Sequence, residues 1–237
     1  MILPRPADAL HKAWLYRLVS AIADDAFLTS VLRFKGGTYA AMRGFIDRFS
    51  IDLDFDLSDA SRVAEVRLHL ENIFSKFDLR IDQKSRHAPQ YFLKYENMPG
   101  ERNTLELDVS FPAPKNNEYE PVRFIEIDRI LYGHTVATMF SNKLVAILDR
   151  FEKHHSIAGR DIFDVHTFFL KGFLYKPEII EERTEMDVRK FLKTLRNFIE
   201  QRVTQTILDE DLNTLLPPDR FRKIRFVLKQ EVLLFLK

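Results

Sequence analysis

Residues 50–57 read Ser50-Ile51-Asp52-Leu53-Asp54-Phe55-Asp56-Leu57, an alternation of apolar and acidic side chains. A period of two predicts a β-strand with one buried face and one carboxylate face. Side chains two residues apart share a face, with Cα atoms about 6.6 Å apart, so Asp52 and Asp54 can converge on one site. Close carboxylates repel each other unless a divalent cation lies between them. The segment therefore predicts a metal-binding strand, although a solvated edge strand shows the same alternation. Asp56 is interpreted as a surface charge.

A glycine turn precedes this strand. Lys35-Gly36-Gly37-Thr38 lies between a short apolar segment and the start of a predicted helix. Glycine allows the backbone to approach a ligand closely, and the amides at the start of a helix attract phosphate. Such turns are common on their own. Followed by two aspartates, however, the turn supplies both halves of a nucleoside triphosphate site, with amides for the phosphates and carboxylates for the cation that bridges them.

The remaining periodicity predicts a sheet followed by helices. Residues 104–111 alternate again and place Asp108 on a polar side together with Glu106, which is interpreted as a surface charge. The other predicted strands are 79–84, 91–96 and 122–128, and the predicted helices are 6–22, 60–77, 160–170, 177–204 and 219–235. We therefore predict an α+β fold, with a mixed β-sheet domain flanked by helices over residues 1–133 and a helical region over residues 134–237.

Composition narrows the function classes. The chain has 237 residues, of which 46% are hydrophobic and 30% charged, and its net charge is +1. This apolar content excludes a wholly disordered chain, and the balanced charge gives no global reason to bind nucleic acid. The absence of cysteine excludes disulfides, thiolate metal sites and thiol nucleophiles. No apolar run approaches the length of a membrane span, and the N-terminus has no apolar signal core. We expect a cytoplasmic protein without a membrane partner.

Four short motifs resemble one known family. The turn at residues 35–38, followed by Arg48-Phe49-Ser50-Ile51-Asp52-Leu53-Asp54-Phe55, resembles the first motif of the AbiEii-type nucleotidyltransferases, which belong to the polymerase-β-like superfamily. Asn142-Lys143-Leu144-Val145-Ala146 and Gly159-Arg160-Asp161-Ile162-Phe163-Asp164 resemble the later lysine and RD-x-x-D motifs of that family. Its members often act as toxins in bacterial toxin–antitoxin or phage-abortive-infection pairs. The resemblance implies a nucleotidyltransferase-type sheet domain whose cleft is completed by residues 134–237.

The resemblance also implies roles for individual residues. Asp52 and Asp54 would hold magnesium with Asp108 as the third carboxylate, and the expected cofactor is two Mg²⁺ ions, with Mn²⁺ as an alternative. Lys143 would contact the nucleotide phosphates, and Asp164 would be a catalytic or base-positioning carboxylate. The residues expected to bind the nucleotide are Lys35, Gly36, Gly37, Thr38, Arg48 and Ser50, although Arg48 could instead pair with one of the crowded aspartates.

A late basic cluster suggests an RNA contact. Arg222, Arg225 and Lys229 fall on one face of the helix predicted over residues 219–235, where they could bind an RNA backbone while Phe221 stacks on a base. A solvated helix face is the simpler interpretation. The adjacent histidines at positions 154 and 155 fit no metal template and receive no role.

The combined expectation is a magnesium-dependent enzyme that transfers a nucleoside monophosphate from a nucleoside triphosphate to an acceptor hydroxyl and releases pyrophosphate. The resemblance implies an RNA acceptor such as the 3′ end of tRNA, growth inhibition as the consequence, and a cognate antitoxin protein as a partner. Two alternatives remain open from the sequence. One is a catalytically inactive module that binds a nucleotide or RNA, and the other is a nucleotidyltransferase that modifies a small molecule such as an antibiotic.

Overall fold

Seven strands form one mixed β-sheet, and eleven α-helices accompany it. A computed structural model describes all residues from 1 to 237. The strands are β1 (Leu32–Lys35), β2 (Asp52–Leu57), β3 (Arg80–Lys84), β4 (Gln90–Lys94), β5 (Thr104–Ser110), β6 (Tyr119–Phe124) and β7 (Arg129–His134). The helices are α1 (Ala9–Asp24), α2 (Ala26–Val31), α3 (Gly36–Met42), α4 (Val63–Lys76), α5 (Val136–His154), α6 (Gly159–Leu170), α7 (Pro177–Thr184), α8 (Val188–Arg202), α9 (Gln205–Leu212), α10 (Pro218–Ile224) and α11 (Leu228–Phe235). The predicted fold class is confirmed.

Strand β2 lies in the middle of the sheet. The strand order is β3-β4-β5-β2-β1-β7-β6, with β2 antiparallel to β1 and parallel to β5. Leu53, Phe55 and Leu57 are at most 2% exposed and face the core, where the ring of Phe55 stacks on that of Phe34 with centroids 4.9 Å apart. Successive side chains of a strand alternate between its two faces. Because these three apolar side chains face the core, the aspartates of β2 lie on the opposite face.

The helical region packs directly on the sheet domain. The predicted boundary after residue 133 falls one residue before the end of β7, and one hydrophobic core extends across it, from Leu53 and Phe55 on β2 to Phe140 and Leu144 on α5. Within the region, α5 packs against α6 and α7, and α6 packs against α9 and α11. No helix combines the length and the apolar character that crossing a lipid bilayer requires.

Several predicted elements differ in detail from the structure. Strand β7 was not predicted, and β6 begins three residues before the predicted strand at 122–128, because residues 125–128 form the turn of the β6–β7 hairpin, in which Asp128 has φ 50°. The helix predicted over 177–204 is divided near Glu185, which has φ 53°. The helix predicted over 219–235 is divided into α10 and α11, because residues 225–227 are not helical.

Asp56 is buried, so its interpretation as a surface charge is wrong. Its side chain is 1% exposed and accepts hydrogen bonds from Lys35 Nζ at 2.6 Å, His134 Nε2 at 2.8 Å, Tyr119 Oη at 3.0 Å and Asn117 Nδ2 at 3.2 Å. Burial alone would raise the pKa of Asp56, but the hydrogen bonds and charges of His134 and Lys35 outweigh it and hold that pKa below its usual range. The carboxylate therefore joins β2 to β1, β6 and β7.

Replacing this carboxylate tests its structural role. We expect Asp56→Asn to lower the free energy of unfolding by about 3 kcal/mol at pH 7, because it breaks a buried hydrogen-bond network and leaves the partly buried ammonium of Lys35 without its counter-ion. Urea denaturation measures the change. The control is Asp82→Asn, at a solvent-facing position of β3, which should cost about 0.5 kcal/mol or less. Equal losses in the two variants would contradict the role assigned to Asp56.

Candidate active site

A single large cavity brings most of the predicted site residues together. Its volume is about 740 Å³, and it lies where β1 and β2 meet the helices α5 and α6. The predicted residues that line it are Lys35, Gly36, Gly37, Arg48, Ser50, Asp52, Asp54 and Lys143. The other three predicted residues near the site, Thr38, Asp108 and Asp164, do not line it. A cavity of this size is in the range that accommodates small-molecule substrates.

Asp52 and Asp54 are held close together with little compensating charge. Within 4 Å, Asp52 has one cationic partner, Nη1 of Arg160 at 3.7 Å, and Asp54 has none. Burial and the neighbouring charge of Asp54 raise the pKa of Asp52 to about 7, and burial also raises the pKa of Asp54. Two oxygen-donor groups that resist ionisation in this way suit a hard divalent cation, which would relieve their repulsion.

Asp108 lies beside this pair but is not grouped with it. In the parallel ladder Asp108 is opposite Asp54, so the two residues share a face of the sheet. Its Oδ2 accepts a hydrogen bond from Ser110 Oγ at 2.9 Å. No group of three acidic, histidine or cysteine side chains is spaced to hold a metal ion. The residues that could hold a cation are thus Asp52 and Asp54, and the third-ligand role of Asp108 stays a prediction. Glu106, opposite Asp52, accepts a hydrogen bond from Gln90.

The glycine turn lies directly against the acidic strand. Gly36 has φ +76°, and a Cβ atom at this position would be 1.9 Å from Oδ2 of Asp54. A Cβ atom on Gly37 would be 2.5 Å from Oγ of Ser50. Both positions therefore require glycine, the first for its backbone conformation and both for space. Thr38 is buried, and its hydroxyl donates to the carbonyl oxygen of Asp52 at 2.6 Å, which fixes α3 to β2. Its predicted contact with the nucleotide stays a prediction.

A buried ion-pair cluster supports the opposite wall of the cavity. Asp164 is fully buried and accepts from Arg48 through Nε at 2.6 Å and Nη2 at 2.8 Å, and Nζ of Lys143 is 2.8 Å from its Oδ2. Burial alone would raise the pKa of Asp164, but the charges of Arg48 and Lys143 outweigh it and lower that pKa. Asp164 is therefore placed to position Lys143 rather than to accept a substrate proton. Arg48 pairs with Asp164 and not with the crowded aspartates.

Arg160 and Asp161 are among the cavity residues to which the sequence analysis gave no individual role. Arg160, which the sequence analysis treated only as part of a motif, reaches Asp52. Asp161 is 3% exposed. Its carboxylate accepts a hydrogen bond from Arg150 Nε at 3.0 Å, and the ammonium nitrogen of Lys143 is 3.5 Å from it. The consecutive Arg160-Asp161 pair at the start of α6 was the signal that could have identified them. Lys35 lines the cavity as predicted, but its ammonium donates to Asp56 at 2.6 Å and to Ser110 at 3.0 Å.

The late basic cluster does not form the predicted surface. Arg222, Arg225 and Lys229 do not share one helix face, because the chain breaks between α10 and α11. Arg225 pairs with Asp209. Lys229 donates to the carbonyl oxygens of Glu200 at 2.9 Å and Val203 at 2.7 Å. Arg222 is exposed and pairs with Asp219 on its own helix, and Phe221 is buried. The prediction of one continuous helix face is wrong, and an RNA-binding role for these residues stays a prediction.

Several solved structures share this fold, and some of them are described as nucleotidyltransferases or as nucleotidyltransferase-like. JHP933 from Helicobacter pylori is 21% identical with a TM-score of 0.58, and the alignment covers 99% of this chain and 94% of that one. MenT4, a nucleotidyltransferase toxin from Mycobacterium tuberculosis, is 15% identical with a TM-score of 0.57, with 97% and 84% covered. An antigenic nucleotidyltransferase-like protein from Paracoccidioides brasiliensis is 17% identical with a TM-score of 0.50, with 87% and 95% covered. At these identities the likeness shows the fold alone.

The family follows from the sequence match. A model of the nucleotidyl transferase AbiEii toxins of type IV toxin–antitoxin systems matches residues 17–225. This match covers most of the chain, and the protein belongs to that family. The resemblance inferred from the four motifs is thereby confirmed. A comparison with curated protein sequences gives no significant match.

Gly36 and Gly44 both have a positive φ but differ in the space around them, so they allow a matched test of the turn. Gly44 has φ +70° and open space around its Cα, so Gly44→Ala should cost only the left-handed backbone penalty of about 1 kcal/mol. Gly36→Ala carries the same penalty plus the overlap with Asp54, which adds about 1–3 kcal/mol of overpacking. Denaturant unfolding of both variants measures the difference. If Gly36→Ala is no less stable than Gly44→Ala, the contact between the turn and Asp54 is wrong.

The raised pKa of Asp52 predicts a stability change with a defined sign. Because the pKa of Asp52 is about 7 in the folded chain and 3.8 for an aspartate in water, ionisation of Asp52 favours the unfolded state. The cost grows from about pH 4 and is complete above about pH 7. In metal-free buffer, Asp52→Asn should therefore raise the free energy of unfolding by about 1–3 kcal/mol at pH 8 and by little at pH 4. Chemical denaturation at both pH values measures this. A loss of stability at pH 8 would contradict the crowding of the two carboxylates.

Proposed function

We propose that this protein transfers a nucleoside monophosphate from a nucleoside triphosphate to an acceptor hydroxyl, with release of pyrophosphate. The observation that carries the proposal is the contact of the Gly36 turn with Asp54, which brings a close-approach backbone segment and a pair of aspartates to one cavity. Membership of the AbiEii family supports the transfer of nucleotides as the reaction class. The substrate, the cation and the acceptor are parts of the proposal.

The proposed cofactor is magnesium, held by Asp52 and Asp54. Their oxygen-only donors and raised pKa values fit a cation that uses one or two carboxylates and completes its shell with substrate phosphates. Such a cation, when bound, supplies positive charge that stabilises the phosphoryl groups during transfer. Thr38 holds the carbonyl of Asp52, so the ligand strand and the glycine turn keep their relative positions.

The remaining residues act on the triphosphate and on the acceptor. Gly36 and Gly37 let the turn approach the phosphates, and the hydroxyl of Ser50 borders the same space. Lys143 offsets the negative charge that develops on the leaving pyrophosphate, while Asp164 holds its ammonium at the cavity wall. With Asp164 committed to this pairing, Asp108 is the carboxylate proposed to take or position the proton of the acceptor hydroxyl.

The proposed acceptor is RNA, in particular the 3′ end of tRNA, and the proposed consequence is growth inhibition that a cognate antitoxin prevents. Membership of a toxin–antitoxin family supports the antitoxin and the growth inhibition, and the fold shared with MenT4, whose name describes it as a nucleotidyltransferase toxin, is consistent with them. The RNA acceptor rests on the resemblance of the sequence motifs. We propose that the reaction takes place in the cytoplasm, where both tRNA and nucleoside triphosphates occur.

A transfer assay tests the proposal. The protein is incubated with total RNA, Mg²⁺ and each radiolabelled triphosphate in turn, and the labelled product is sized on a gel. We expect a labelled RNA, and a decrease of about 100-fold or more for Asp54→Asn and for Lys143→Ala, which remove a cation ligand and the charge on the pyrophosphate. Asp82→Asn, far from the cavity, is the control and should retain full activity.

The outcomes separate the alternatives. Triphosphate binding without Mg²⁺ dependence and without turnover would identify an inactive binding module and overturn the proposal. Label on a small molecule would retain the transferase and replace its acceptor. Undiminished transfer by Asp54→Asn would exclude the assigned site.

A further inference from the structure

We propose that Arg150 and Arg160 bind a phosphodiester group of an RNA acceptor at the opening between the active-site cavity and a second cavity, which receives the adjoining nucleoside. This inference rests on the proposed function, because it assigns the acceptor site of the same reaction. It replaces the surface on α10 and α11 that the sequence suggested with a site on α5 and α6, whose side chains reach the catalytic cavity itself.

The second cavity adjoins the first. Its volume is about 360 Å³, and Arg150 and Arg160 are the two residues that line both cavities. The other residues of the second cavity are Ser156, Ile157, Ala158, Ile207, Glu210 and Asp211. The two arginines therefore form the shared border. This border is also close to the candidate cation ligands, because Nη1 of Arg160 is 3.7 Å from a carboxylate oxygen of Asp52.

Four other cationic side chains of the active-site cavity are already paired with carboxylates. Lys35 is 2.6 Å from Asp56, Arg48 forms a two-point contact with Asp164, and Arg183 pairs with Asp149. Lys143 is 2.8 Å from Asp164 and is assigned to the triphosphate. These partners reduce the capacity of the four cations to bind a second anion.

The two border arginines retain free donors. Arg150 donates to Asp161 through Nε, which leaves its terminal nitrogens without a hydrogen-bond partner. Arg160 makes the longest ion pair in the cavity, at 3.7 Å, and its side chain is 26% exposed. A guanidinium group matches the geometry of phosphate oxygens and binds them through two parallel hydrogen bonds. The border is therefore the part of the cavity best suited to an additional phosphate.

The chemistry of the second cavity indicates what accompanies that phosphate. Its carboxylates, Glu210 and Asp211, repel a phosphate from the interior, and Asp211 is already engaged by the backbone N–H of Arg160 at 2.9 Å. Carboxylates do accept hydrogen bonds from ribose hydroxyls, and the apolar groups of Ile157 and Ile207 can contact a sugar or a base. The arrangement thus fits a ribonucleoside inside the cavity and its phosphodiester on the arginines.

The exposed end of α5 extends this path. Lys153 and His154 follow Arg150 by three and four residues on the same helix, so they lie on its face, and both are exposed. His154 is one of the two adjacent histidines to which the sequence analysis gave no role. A protein acceptor offers no phosphate for these groups, which is why RNA is the acceptor that the side chains favour.

Binding of fluorescently labelled total tRNA, followed by anisotropy over a series of salt concentrations, tests the proposal. Arg150→Ala should weaken binding roughly tenfold at low salt and reduce the slope of log K against log salt by about one, because one phosphate contact is lost. Arg150→Gln, which keeps a donor toward Asp161, should show the same reduction in slope. The matched control is Arg123→Ala, at an exposed ion pair with Asp128 on the distant β6–β7 hairpin, and its binding should equal that of the wild type.

Calorimetry with each triphosphate and Mg²⁺ provides the second readout. Arg150→Ala should bind the triphosphate within about twofold of the wild type, since the assigned phosphate belongs to the acceptor. An unchanged salt slope in both Arg150 variants, an equal loss in Arg123→Ala, or no tRNA binding by the wild type would overturn the inference. Transfer of label to a protein or small molecule without tRNA binding would overturn it while leaving the proposed transferase intact. Failure of the transferase itself would appear as the absence of labelled product from every acceptor.

Discussion

The repulsion between Asp52 and Asp54 is the constraint around which the site is built. The two carboxylates share one face of a strand whose other face is buried in the core, so neither can turn away without exposing Leu53 or Phe55 to water. Burial raises the pKa of both groups, the charge of Asp54 raises the pKa of Asp52 further, and the charge of Asp108 adds to the rise at Asp54. Lys35 and Lys143 are held by the carboxylates of Asp56 and Asp164, and Arg160 is the one cation within 4 Å of the pair, at 3.7 Å from Asp52. The charge of the pair is therefore only partly compensated, at the expense of stability.

Two buried aspartates hold the surrounding charges in place. Asp56 binds Lys35, and Asp164 binds Arg48 and Lys143. Each also connects the sheet domain with the helical region. From Asp56 the hydrogen bonds continue through Asn117 and Asn142 to Arg183 on α7, while Asp164 on α6 meets a loop that precedes β2. The same side-chain type thus serves as a candidate cation ligand on β2 and as a structural anchor elsewhere, and only its partners distinguish the uses.

Sequence periodicity predicted what depends on local alternation. The strand at residues 52–57, its buried face and the neighbouring strand with Asp108 were predictable because apolar and acidic residues alternate there, and the glycine turn was predictable from the paired glycines. The buried state of Asp56 was not, since its four partners come from residues 35, 117, 119 and 134, and no local pattern announces such distant contacts. For the same reason the sequence could not show that Arg48 meets Asp164. The break between α10 and α11 was missed because residues 225–227 contain neither glycine nor proline.

The loop before β2 has a consequence for the order in which the molecule is completed during synthesis. Arg48 meets a partner that is 116 residues further along the chain, the N–H of Phe49 donates to the carbonyl of Leu215 at 2.9 Å, and Arg220 donates to the carbonyl of Asp47 at 3.1 Å. A nascent chain that has released only its sheet domain from the ribosome lacks Lys143 and every one of these contacts. Its ligand strand can be formed while the cleft is still open on one side. The cleft is therefore completed only after the chain has been made as far as residues 215–220, long after the strand that carries Asp52 and Asp54.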